Sequence, residues 1–97
     1  MSGLKLHASA LKEIDEAAAF YDQRAAGLGA RFLRAIGAGL NAIERDPGRF
    51  AFFYEYCRRF LVRDFPYRII YHDTPKEIRI LAIAHTRRSP LYWLKRK

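Results

Sequence analysis

A second cysteine is missing from this sequence, so Cys57 can form no disulfide within the chain, and a cytoplasmic, reducing setting is expected. No recognisable nucleophile signature surrounds Cys57, which reads as a buried, inert thiol. Long apolar runs are also missing. Nothing approaches the roughly 20 residues that cross a bilayer, and the first residues carry no apolar signal core, so no membrane partner is expected. Histidine is scarce, and His7 and His72 have no partners at metal-ligand spacing, which leaves no expected metal or cofactor. Acid is thin where catalysis would want it in pairs: Glu55 is the one acidic residue between Asp46 and Asp64.

What is present is basic charge, and it is unevenly placed. Residues 58–97 carry eleven basic and three acidic side chains, whereas residues 1–57 carry seven of each. In the basic third, Arg and Lys alternate with Phe, Val, Ile, Leu and Tyr, so the charge is woven into strands and the cations are held in place. Ordered guanidinium groups suit a polyanion or an acidic protein segment, because each offers planar, forked donors. Ninety-seven residues, about half of them apolar, suffice for one core, and a single domain over residues 1–97 is expected.

Periodicity divides the chain. Residues 3–7 alternate as a short strand. Leu11, Ile14, Ala18 and Tyr21 then recur at helical spacing, with Ser9 as the expected N-cap and Glu13, Asp15 and Glu16 complementing the helix dipole. The segment GLG at 27–29 interrupts the pattern. Leu28, Phe32, Ile36, Leu40 and Ile43 form a second helical stripe that DPG at 46–48 ends. Gly37 and Gly39 inside that helix predict a close approach by another backbone. Beyond them, residues 50–56 are strongly aromatic, and strands are expected at 58–64, 67–73 and 77–85, joined by short connections as an antiparallel meander. Strict alternation would place Ile78, Ile80, Ala82 and Ala84 on one face and Arg79, Leu81, Ile83 and His85 on the other. The expected fold is α+β, in the order β-α-α-β-β-β, with the helical hairpin packed on an antiparallel sheet and a short C-terminal helix carrying Trp93 into the core.

The helical hairpin followed by RFLVRDFPYRIIY at 59–71 and IRILAIAHTRRSPLYW at 78–93 resembles the RelE/ParE superfamily of type II toxin-antitoxin toxins, closer to the ParE, or plasmid-stabilisation, branch. The resemblance implies a toxin neutralised by a cognate antitoxin, with oligomers formed through that complex. It implies DNA gyrase as the target, inhibited by binding and without catalytic residues. A RelE-like ribosome-dependent mRNA endonuclease is the alternative, and a nucleic-acid-binding module without toxicity a further one. The lysine-rich catalytic cluster of RelE is not matched here, where aromatics and Cys57 to Arg59 stand instead.

Metal-independent RNA cleavage would need a base, an acid and phosphate-holding cations, for which Arg68, His85, Arg87, Arg88 and Tyr92 are the candidates. His85 equally suits a plain role, its imidazole bonding nearby backbone to set the following turn. Partner binding is expected from Arg59, Arg63, Arg68, Arg79, Leu81, Ile83, His85, Arg87, Arg88, Tyr92 and Arg96. In that reading an acidic antitoxin covers the mixed face of the sheet, with Leu81 and Ile83 as its apolar contacts.

Overall fold

The computed structural model describes residues 3–96 of the chain. Strand β1 (Gly3–Leu6) leads into helix α1 (Ala8–Arg24) and helix α2 (Leu28–Arg45). A 3-10 turn at Pro47–Arg49 follows, then strands β2 (Phe52–Tyr54), β3 (Cys57–Leu61), β4 (Tyr67–Asp73) and β5 (Glu77–His85). The sheet runs β1-β5-β4-β3-β2, parallel only between β1 and β5. The β3-β4-β5 meander is as expected. An extra strand, β2, lies in the aromatic stretch that alternation did not resolve, because a register shift between Phe52 and Tyr54 breaks its period.

Two further expectations need correction at the chain's local ends. His7, not Ser9, caps α1: its Nδ1 accepts the Ser9 N–H at 3.0 Å. After Pro90 no helix forms among the described residues. Residues 91–95 make successive turns closed by bonds such as Leu94 N–H to the Leu91 carbonyl at 3.1 Å. These turns still deliver Trp93 to a buried position.

The helical hairpin covers one sheet face. Ile14, Ala17, Phe32, Ile36 and Ile43 meet Ile69, Tyr71, Ile78, Ile80 and Ile83 there. The opposite face is smaller and is roofed by the C-terminal turns, with Trp93 over Cys57, Ile70, Ala82 and Ala84. A bulge in β5 decides this division. Ile70 faces Ala82, but its neighbour Tyr71 faces Ile80, so Leu81 is the extra residue and the alternation reverses beyond it. The predicted apolar face is therefore split: its isoleucines stay under the helices while its alanines turn to the other side, where their small size makes room for an indole.

Helix contacts explain the glycines unequally. A Cβ on Gly29 would lie 2.5 Å from the Ala18 carbonyl oxygen, so the two helices touch there, and Asp22 accepts the Gly29 N–H at 2.7 Å to cap α2 from α1. A Cβ on Gly39 would lie 2.8 Å from Ile69 Cδ1 and from Phe60 Cε1. It is sheet side chains, not another backbone, that crowd it. At Gly37 nothing comes within 4 Å, so the expected close approach fails at that position. Gly39→Ala should destabilise by about 1–3 kcal/mol through overpacking, whereas Gly37→Ala should stabilise by about 0.4–1 kcal/mol. Chemical denaturation of both variants checks this; equal effects would remove the distinction.

Candidate functional site

Three groups of polar side chains stand out, the first two adjoining and the third on the other face of the sheet. The first is built on Glu13 of α1. Beyond Leu6, β1 no longer pairs with β5, and the outer edge of β5 exposes the Leu81 carbonyl and the Ile83 N–H. Glu13 accepts the Ile83 N–H at 2.9 Å, and Arg96 donates to the Leu81 carbonyl at 3.1 Å. Arg96 also forks onto Glu13 with contacts of 2.9 and 3.0 Å, and the Tyr92 hydroxyl donates to the same carboxylate at 2.7 Å. Arg88 stacks over the Tyr92 ring at 3.7 Å and reaches Glu13 at 3.5 Å. The cluster thus replaces a missing neighbouring strand and ties the tail to the first helix.

Electrostatics at Glu13 are set by competition. Burial pushes its carboxyl up, but the hydrogen bonds from Arg96, Tyr92 and Ile83, with the Arg96 charge, hold it below the ordinary value. Burial and then the bond to Glu13 push the Tyr92 phenol well up, so it stays protonated as a donor. A half-buried guanidinium, Arg96, is in turn held more firmly protonated by its bond to Glu13.

The second group surrounds a cavity of about 180 Å³ between α1 and the sheet, where Glu13 and Arg88 of the first group meet Glu16, Phe20, Tyr67 and His85. His85 Nδ1 accepts the Arg87 N–H at 3.0 Å, and its ring stands edge-on to Tyr67 at 5.1 Å. The imidazole therefore sets the turn after β5, as its plain reading expected. It lies on the helix side of the sheet.

The third group lies on the other face. Arg59 of β3 and Arg68 of β4 both stand over the Phe53 ring, at 5.8 and 5.2 Å. Arg68 Nε is buried and has no hydrogen-bond partner among the described residues; the same is true of Trp93 Nε1, whose ring is 6.4 Å from Phe53. Leaving a buried donor unmade costs about 1–3 kcal/mol. Neither Arg59 nor Arg68 has an ion-pair partner among the described residues.

The candidate residues from the sequence are thus only partly brought together. Arg88, Tyr92 and Arg96 meet at Glu13; Arg59 and Arg68 meet at Phe53; His85 and Arg68 sit on opposite faces. Arg63 lies beyond β3, lining a cavity beneath α2 with Ala38 and Phe60. Arg79 pairs with Glu77 at 2.9 Å, and Arg87 is exposed in the turn. Leu81 and Ile83 are 3% and 1% exposed, so neither offers an apolar contact to a partner, because the bulge points them into opposite cores. Cys57 is buried, and burial pushes its thiol up to about 11, which suits an inert residue. Glu13 and Phe53 were missed. Glu13 fitted the helix dipole too well to suggest a partner 83 positions away, and Phe53 was one aromatic among many.

The family model described as ParE toxin of type II toxin-antitoxin system, parDE, matches residues 4–90. A solved chain of the chromosomal ParDE TA system from P. aeruginosa is similar in fold, with a TM-score of 0.78 at 18% identity over 88% of this chain and 96% of that one. No curated protein matches the chain.

The Glu13 cluster should make stability depend on acidity. A carboxyl held low in the folded state contributes stability fully above its unfolded value of about 4.5, and that contribution is lost as pH falls through the lower folded value. Glu13→Ala should cost about 3 kcal/mol at neutral pH, since it strands Arg96 and the Ile83 N–H. Glu13→Gln should flatten the acid limb of stability against pH, measured by urea unfolding; an unchanged acid limb would show that the carboxylate contributes nothing.

Proposed function

Because the chain belongs to the ParE toxin family of type II toxin-antitoxin systems, we propose that it is a toxin that inhibits DNA gyrase by binding and is neutralised by a cognate antitoxin in the cytoplasm. Binding is favoured over RNA cleavage by one observation, that the acid-base candidates are already engaged within the fold. Cleavage without a metal needs a base and an acid on either side of one phosphate, with cations at the phosphate itself. Tyr92 spends its proton on Glu13, His85 spends Nδ1 on the turn, and Arg68 lies across the sheet from His85. His85, Glu13 and Arg88 do line one cavity, but the proton-moving groups there are held by bonds within the fold and Arg68 stands on the far face. The arrangement does support adhesion, since guanidinium groups on ordered strands reach a partner without first losing mobility.

Gyrase supercoiling with the purified protein tests the proposal alongside translation of a ribosome-bound mRNA. Supercoiling should fall while the mRNA stays intact, and His85→Ala should leave the inhibition within about threefold of the parent, a change near 0.6 kcal/mol. Unimpaired supercoiling together with cut mRNA would replace this reading by the ribonuclease one.

A further inference from the structure

We propose that Arg59, Phe53 and Arg68 form a carboxylate cradle on the sheet face away from the helices, and that it receives a Glu or Asp side chain from an acidic, aliphatic segment of a partner protein. The inference rests on the toxin reading only in taking that partner to be the antitoxin. Its basis is an imbalance within the fold. Arg59 pairs in register with Ile70, and Arg68 with Leu61, so the two guanidinium-bearing residues are diagonal neighbours on one face. They share the Phe53 ring and have no carboxylate among the described residues, while the other ordered cations nearby are satisfied: Arg58 by the Phe50 carbonyl at 2.7 Å and Arg79 by Glu77.

The Arg68 Nε–H makes the cradle more than a charged patch. It has lost water and found no acceptor among the described residues. Nε and one Nη of a guanidinium form a fork that fits the two oxygens of a carboxylate, and a modest turn of the side chain presents that fork outward. Phe53 beneath gives a flat apolar floor on which both planar cations rest.

Peptide is favoured over nucleic acid by the rim. Leu61, directly opposite Arg68, is 60% exposed, and its side suits an aliphatic neighbour of the incoming acid. A nucleic-acid track would need cations spaced along a groove to follow successive phosphates. This face has two together, beside a leucine.

Trp93 is the one tryptophan and packs 6.4 Å from Phe53, so its emission reports occupancy of the cradle. The probe is a peptide of alternating leucine and glutamate, compared with a leucine-glutamine peptide and a short single-stranded oligonucleotide. The acidic peptide should shift the emission saturably, and Arg68→Gln and Arg59→Gln should each weaken it at least about tenfold, as expected on losing a charge-assisted bond. Arg68→Lys should not restore binding, because an ammonium lacks the fork. Arg24→Gln, which removes equal charge from the end of α1, should leave it within about twofold. Thermal melts confirm that each variant is folded, and Arg59→Gln tests the cradle independently if Arg68→Gln is not. Equal weakening by Arg24→Gln, equal binding of the glutamine peptide, or tighter binding of the oligonucleotide with the same arginine dependence would each overturn the proposal. A chain that binds the peptide as described yet leaves gyrase untouched would overturn the functional reading and spare the cradle; the reverse result would do the opposite.

Discussion

One half-buried carboxylate holds three separate parts of this molecule in register. Glu13 joins α1, the unpaired edge of β5 and the C-terminal turns, and each connection alone would be weak. An isolated carboxylate at 10% side-chain exposure would be strongly disfavoured by desolvation. It is tolerated because Arg96 brings a fork of donors and because Tyr92 and a backbone N–H fill the remaining lone pairs. The same bonds solve a second problem. A bare strand edge invites pairing with another chain, and here the edge groups of Leu81 and Ile83 are occupied by side chains. Removing the acid would therefore loosen the tail and open the edge together.

The bulge at Leu81 belongs to the same design. Shifting the strand by one residue turns Ile83 under the helices and sends Ala82 and Ala84 to the opposite side. Only then does Trp93 have space to lie against the sheet, and only with Trp93 in place do the terminal turns bring Tyr92 and Arg96 over the edge to Glu13. Packing on one face and ion pairing at the edge are thus two consequences of one extra residue. Tyr71 fixes the other end of the sheet, donating to the Pro47 carbonyl at 2.6 Å, with burial raising its phenol to about 12.

Local patterns carried the helices, the meander and the burial of Cys57 and Trp93, because each depends on spacing within a dozen residues. The helix stops at GLG and DPG were legible for the same reason. Face assignment in β5 was not, since a bulge costs nothing in the alternation of a sequence whose residues are nearly all apolar there. A clue existed: two isoleucines followed by two alanines suggest walls of different depth on one supposed face. The site was less legible still. Glu13 and Arg96 meet only because the strand order places β5 beside α1, and nothing in the residues near Glu13 distinguishes it from Glu16, which is exposed.

Net charge, finally, overstates the surface available to a polyanion. Several of the arginines that make the last third so basic have partners within the chain: Arg96 and, at the surface, Arg88 meet Glu13, exposed Arg79 meets Glu77, and Arg58 meets a backbone carbonyl and the Phe52 ring at 3.9 Å. Their charge is offset locally or directed along the sheet edge, so they do not combine into a continuous basic track. Arg59 and Arg68 differ in kind. They are held by strands and by an aromatic floor, yet no acid of the described chain answers them. These two are therefore the strand-borne arginines of this face where an outside carboxylate has most to add, since the described chain supplies none.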